Sequence, residues 1–176
     1  MDKVERLIPI IKKITRNQKP GKKILQKVVY LIQRKGVKLG FAFSIHYYGP
    51  YSSELDYAIH RLEMQGVLSI IPEGMTHQIS LKEDADLSGR EETEVFSEEQ
   101  LQKIDEVIAK FAGKPAYDLE VITTTDYVAQ QLKANGESWE NDNLIEGVRR
   151  IKGDKFSKEE IERAIAILQA EGYLGE

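Results

Sequence analysis

The stretch Phe41–Leu68, FAFSIHYYGPYSSELDYAIHRLEMQGVL, constrains the fold more than any other part of the chain. Phe41, Phe43, Ile45 and Tyr47 alternate, the period of a half-buried strand. Gly49-Pro50 is expected to break that strand. Ser52 or Ser53 can then accept a hydrogen bond from a free N–H of a helix's first turn. On that helix Leu55, Ala58, Ile59 and Leu62 form one apolar stripe. Gly66 fits just past its end, where a positive φ suits glycine. A strand, a corner and a helix in this order point to a small α+β scaffold and carry no catalytic signature.

The residues before this stretch read as two helices. Val4, Leu7, Ile8, Ile11 and Ile14 recur at helical spacing over about residues 2–15, with Pro9 predicting a kink or a start near residue 8. Residues 17–21 read as a connection. The second helix spans about Lys22–Lys35, with Ile24, Leu25, Val28, Leu31 and Ile32 on one side. At about 100° per residue, Lys23, Lys27, Tyr30 and Arg34 fall together on the opposite side. They form a basic stripe with one aromatic, the pattern of a phosphate-tracking face. It is equally the pattern of the solvated side of an amphipathic helix.

After Gly66 the order continues as helix then hairpin. Val67 to Ile71 reads as a strand, Pro72-Glu73-Gly74-Met75 as a turn, and Thr76 to Leu81 as the returning strand. Residues 1–82 are thus expected to form a winged-helix-like module. The acidic, apolar-poor residues 83–96 read as a linker or loop. Residues 97–176 are expected to be helical. Ser97 with Gln100, and Ser157 with Glu160, have capping-box spacing. Helices are predicted over about 98–112, 117–134, 142–152 and 158–171, the last two forming a helix-turn-helix-like pair. Leu55…Gly66-Val67-Leu68 and Ile161…Gly172-Tyr173-Leu174 share one pattern. It reads either as a duplication or as two uses of one helix-end solution. The predicted class is mainly α with a small antiparallel sheet.

Composition excludes several functions. There are no cysteines among the 176 residues, which removes disulfides, thiol catalysis and thiolate metal sites and fits a cytoplasmic protein. No apolar run reaches the ~18–20 residues of a membrane span, so no membrane is expected. The charged start of the chain has no small-residue cleavage site, which argues against a signal peptide. Phosphate-binding glycine loops, G-x-S-x-G and H-E-x-x-H are all missing. His46, His60 and His77 lie on three different elements with no ligand spacing. No enzyme activity, cofactor or metal is therefore expected.

Charge is uneven along the chain. Residues 1–40 carry twelve Lys and Arg against Asp2 and Glu5, a balance of +10. With −4 overall, the remainder carries −14. Either the two parts attract each other or the first part meets an anionic partner. Weak, non-specific nucleic-acid binding through Lys23, Lys27, Tyr30 and Arg34 is the form such contact is expected to take. The helix at 53–65 carries Glu54, Asp56 and Glu63 against Arg61, a poor charge for laying in a DNA groove.

The corner Tyr47-Tyr48-Gly49-Pro50-Tyr51-Ser52 is the most specific local feature. It reads as a packed corner whose tyrosine hydroxyls find partners, or as a contact surface, where exposed tyrosines are favoured. Together with Lys23, Leu25, Gln26, Lys27, Tyr30, Leu31 and Leu55, this corner resembles the Panacea-domain proteins (SocA-like antitoxins) and the related YwgA-like family. In those, a helix K-x-L-Q-K-x-x-Y-L precedes a strand ending in Y-G-P and then a helix. The resemblance covers roughly residues 1–82, and the later helices look similar too. The acidic segment and extra helices favour the YwgA-like branch. What the resemblance implies is a mostly helical fold, no cofactor and, for the antitoxin branch, neutralisation of a toxin by direct contact. The expected function is a non-enzymatic protein-interaction module, antitoxin-like or regulatory. Its partner is a toxin-like protein, a regulator or a second copy. Tyr47, Tyr48, Gly49, Pro50, Tyr51 and Ser52 are its expected partner-binding residues. The alternative is a winged-helix DNA-binding regulator.

Overall fold

The structure, a computed structural model, describes residues 2–16 and 18–175; Asn17 of the expected connection at 17–21, and the terminal residues Met1 and Glu176 of the two expected segments, lie outside them. Helices dominate, with two small antiparallel sheets of two strands each. No helix among the described residues is long and apolar enough to cross a membrane.

The chain divides into two compact units, one of residues 1–44 with 51–115 and one of residues 45–50 with 116–176. In the first, α1 (Lys3–Thr15) starts where the Asp2 carboxylate accepts the Val4 N–H at 3.0 Å. Pro9 lies inside it and neither starts nor ends it. The helix absorbs the lost N–H because its apolar residues, Leu7, Ile8, Ile10, Ile11 and Ile14, are all buried, and burial outweighs one missing bond. Helix α2 (Lys22–Arg34) follows, buried without interruption from Leu25 to Ile32.

The expected strand from Phe41 is only partly formed. Exposure alternates over 41–46 as predicted, but residues 41–43 pair with no strand. Their backbone is held instead by a side chain: Gln33 accepts the Phe41 N–H and donates to the Phe41 carbonyl, both at 2.9 Å. One helical heptad earlier, Gln26 does the same to Ser52, again at 2.9 Å twice. Between these clamps lie β1 (Ser44–His46) and β2 (Gly49–Tyr51). The turn is therefore Tyr47-Tyr48. Gly49-Pro50 does not break a strand but opens the returning one, Gly49 at a φ of +96° that other residues rarely adopt.

Helix α3 (Ser53–Met64) is capped by the Ser52 hydroxyl, which accepts the Leu55 N–H. It ends at Gly66, where the Gly66 and Val67 N–H groups bond back to the carbonyls of Glu63 and Leu62. Strands β3 (Leu68–Glu73) and β4 (Thr76–Leu81) form a hairpin in the register Leu68↔Leu81 to Glu73↔Thr76. Its turn is only Gly74-Met75; Pro72 sits in the strand opposite His77. On its other side β4 bridges Gly21 through Gln78, and Ile79 N–H donates to the Pro20 carbonyl at 2.9 Å.

The acidic segment at 83–96 is largely loop. It contains a one-turn helix, α4 (Glu92–Val95), opened by a capping box of Glu91 and Glu94, and it belongs to the first unit, which runs through α5 (Glu98–Phe111) to Pro115. Glu91 pairs with Lys12 at 2.8 Å, and Glu92 with Lys13 at 3.0 Å and Arg16 at 3.4 Å. The segment straps the basic face of α1. Lys13, nearly buried, also reaches Asp105 at 2.7 Å. Burial works to lower its pKa, but the bonds to Asp105 and Glu92 outweigh it and hold the ammonium above its usual range.

In the second unit α6 (Ala116–Ala134) packs against α7 (Asn141–Lys152) and α8 (Lys158–Ala170). Leu119, Ala129, Leu144, Val148, Ile161 and Leu168 are fully buried or nearly so. Ser157 and Glu160 form the expected capping box of α8, as Ser97 and Gln100 do for α5. Gly172 and Tyr173 close α8 with the bonds that Gly66 and Val67 use, and Gly36 and Gly136 end α2 and α6 likewise. The same glycine helix-end bonds thus occur at four helices, two of which carry the repeated sequence pattern.

Candidate functional site

The six corner residues separate by environment. Tyr47 and Tyr48 occupy the turn and are 76% and 43% exposed. Gly49 and Pro50 are buried behind them. Tyr51 is half-buried and hydrogen-bonded to Asp56; burial first, then the Asp56 charge, pushes its pKa up. Ser52 is completely buried and serves the α3 cap and the Gln26 clamp. Residues 45–50 belong to the second unit and Tyr51 and Ser52 to the first. Within the second unit, Tyr47 and Tyr48 alone of these residues present large surfaces to solvent.

Their backing comes from residues the sequence reading did not single out. The Tyr47 and Tyr48 rings meet edge to face, centroids 4.8 Å apart at 82°. The Lys155 ammonium lies 4.9 Å from the first centroid and 5.0 Å from the second, within cation–π range of both. Lys152 donates to the Tyr47 carbonyl. Both ammonium groups converge on Glu120, Lys152 at 3.0 Å and Lys155 at 2.8 Å. The Glu120 and Lys152 side chains are 5% and 6% exposed; Lys155 is 31% exposed.

Local sequence explains how these groups meet. Gly153, at φ +60°, ends α7 and turns the chain, so Lys152 and Lys155 both reach the start of α6. Tyr117, also at that start, donates its hydroxyl to the Lys155 carbonyl at 3.1 Å and stacks edge-on against Phe156 at 5.8 Å. Burial, then its bond to Glu160, raises the Tyr117 pKa to about 12. It therefore remains a donor at any ordinary pH. The available signals were Glu120 inside the apolar run Leu119-Glu120-Val121-Ile122 and two lysines flanking a glycine turn.

The basic stripe is not a solvated face. Lys23 is exposed and Arg34 half-buried, but Lys27 and Tyr30 are only 3% and 5% exposed. Tyr30 packs edge-on against Phe43, centroids 5.4 Å apart. The wheel separated polar from apolar residues, yet α2 is surrounded over its middle turns, so both sides are covered. His46, His60 and His77 are each exposed on separate elements. Among the described residues no group of three or more His, Asp or Glu side chains is placed to hold a metal ion.

No protein-family model and no curated protein matches the chain. Among the residues quoted for the resemblance, Gln26 clamps Ser52, Ser52 caps α3, and Tyr30 packs on Phe43.

Proposed function

We propose that this chain is a non-enzymatic protein-interaction module, antitoxin-like or regulatory, that acts by direct contact with a protein partner. One observation carries the reading. Tyr47 and Tyr48 stand exposed at a tight turn whose backbone and rings are fixed from behind by Lys152, Lys155 and Glu120. Rigid, exposed tyrosines present large amphipathic area at small entropic cost, the property of interface anchors. The Panacea-like and YwgA-like resemblance agrees with this reading.

Co-expression with the products of neighbouring genes, followed by native purification, tests it. A stoichiometric partner is expected, lost in the Tyr47→Ala/Tyr48→Ala double variant while the melting temperature stays within a few degrees. The reading fails if the chain purifies alone, or if the double variant retains every association.

A winged-helix DNA-binding regulator is the second reading. It is favoured by the order α1, α2, α3, β3, β4 and by the bridge from Gly21 to β4. Against it, α3 carries Glu54, Asp56 and Glu63 with Arg61 as its one arginine or lysine, and residues 72–75 carry no basic side chain. Phosphates would be repelled at both elements.

A further inference from the structure

We infer that the Tyr47–Tyr48–Lys155 surface receives a segment of its protein partner through a single Asp or Glu carboxylate, which docks on Lys155 beside the two phenol rings. This rests on the interaction-module reading and names the chemistry of the partner.

Within the Glu120–Lys152–Lys155 cluster itself the charges do not cancel; Asp118 and Glu160 act on Tyr117 beside it. Two ammonium groups share one carboxylate, and both Glu120 oxygens are in use: Oε1 accepts Lys155 at 3.0 Å, and Oε2 faces Lys152 at 3.0 Å and Lys155 at 2.8 Å. Lys152 is buried and commits another N–H to the Tyr47 carbonyl. Lys155, at 31% exposed, is the one member of the three that water reaches. The surplus positive charge therefore faces outward at Lys155, between aromatic rings that partly exclude water. A carboxylate arriving there gains a charge-assisted hydrogen bond in a partly desolvated setting. The exposed rings offer the neighbouring side chains flat apolar area, and an ammonium or guanidinium at the same place meets like charge.

A polyanion such as nucleic acid is a worse occupant than a protein carboxylate. The second unit holds seven Lys and Arg against thirteen Asp and Glu, a balance of −6. That field repels a long anion over its whole length. A single carboxylate is governed by the contact charge, because repulsion from beyond about 8 Å is screened at physiological ionic strength.

Selection of a displayed random short-peptide library on the full chain tests the inference. Wild type should enrich Asp- and Glu-bearing peptides by about tenfold over their Lys and Arg counterparts, the ratio one charge-assisted bond supports. Lys155→Glu should invert that preference. Lys155→Gln, a milder change in case the reversal disturbs folding, should abolish the acidic bias among whatever peptides it still captures; thermal melts report the fold of each variant. Peptides captured through Tyr47 and Tyr48 with no acidic bias, or with a bias indifferent to Lys155→Gln, overturn this inference and leave the interaction module standing. If Tyr47→Ser/Tyr48→Ser captures the same peptides as wild type, both are overturned.

Discussion

Glu120 is a carboxylate with two ammonium neighbours and almost no water, its side chain 5% exposed. Neutralising it leaves Lys152, 6% exposed, without a counterion. Removing one partner of a buried pair is expected to cost about 3 kcal/mol, because the stranded charge loses its compensation and regains little hydration. Glu120→Gln should therefore lower the urea midpoint with little change in the slope, and it should loosen the Tyr47–Tyr48 turn. An unchanged midpoint would show that Lys152 reaches water in solution. Such a residue is half-legible in sequence. Glu120 stands inside the apolar run Leu119-Glu120-Val121-Ile122, and a carboxylate that such a run carries into a core needs a partner. The partners lie 32 and 35 residues away, and nothing local points to them. The burial within the basic stripe is illegible for the converse reason: helical periodicity sorts residues by side but does not tell which sides another element will cover, and Lys27 and Tyr30 are covered.

At the scale of elements, what was legible is whatever local chemistry decides. The Ser97–Gln100 and Ser157–Glu160 boxes, the Ser52 cap and the glycine ends at Gly66 and Gly172 are short-range hydrogen-bond devices, and each appears where its residues predict. The clamps on Phe41 and Ser52 were not legible, because Gln33 and Gln26 reach them from α2, 8 and 26 residues away. The expected helix over 117–134 runs through three successive threonines of poor helix propensity, which burial in the core tolerates: Thr123 and Thr125 bond back to the Leu119 and Val121 carbonyls at 2.7 Å, while the buried Thr124 hydroxyl has no partner among the described residues. Gly147 shows packing overriding propensity in the other direction. It lies inside α7, where alanine is favoured by about 1 kcal/mol. A Cβ at this position would stand 2.8 Å from Val128 Cγ1. Val128 is 4% exposed, and a β-branched side chain in a helix has essentially one rotamer, so it cannot swing aside. Overpacking of that kind costs about 1–3 kcal/mol. Gly147→Ala should thus destabilise the protein by about 1 kcal/mol net, read as a lower denaturation midpoint. A stabilised variant would mean that α6 and α7 separate at little cost.

For the molecule as a whole, the charge asymmetry along the chain largely dissolves when residues are grouped by folded unit. The first unit gathers eighteen Lys and Arg and sixteen Asp and Glu, a balance of +2, against −6 for the second. The +10 of residues 1–40 is met inside the same unit: Lys3 pairs with Glu54, Lys12 with Glu91, Lys13 with Glu92 and Asp105, Arg16 with Glu92, and Lys22 with Asp56 at 3.5 Å. A nucleic acid would have to displace these carboxylates before it gained the same cations. Titration of a labelled duplex should accordingly give weak binding at low salt that vanishes at physiological salt. The log–log slope should be about −0.9 per phosphate neutralised, with no dependence on sequence. Glu91→Gln with Glu92→Gln releases Lys12 and Arg16 and should raise the low-salt affinity and steepen that slope. The carboxylate strap then accounts for the weak binding. Sequence-selective binding that persists at physiological salt, unchanged by those two substitutions, would refute this account and make the winged-helix regulator the better reading.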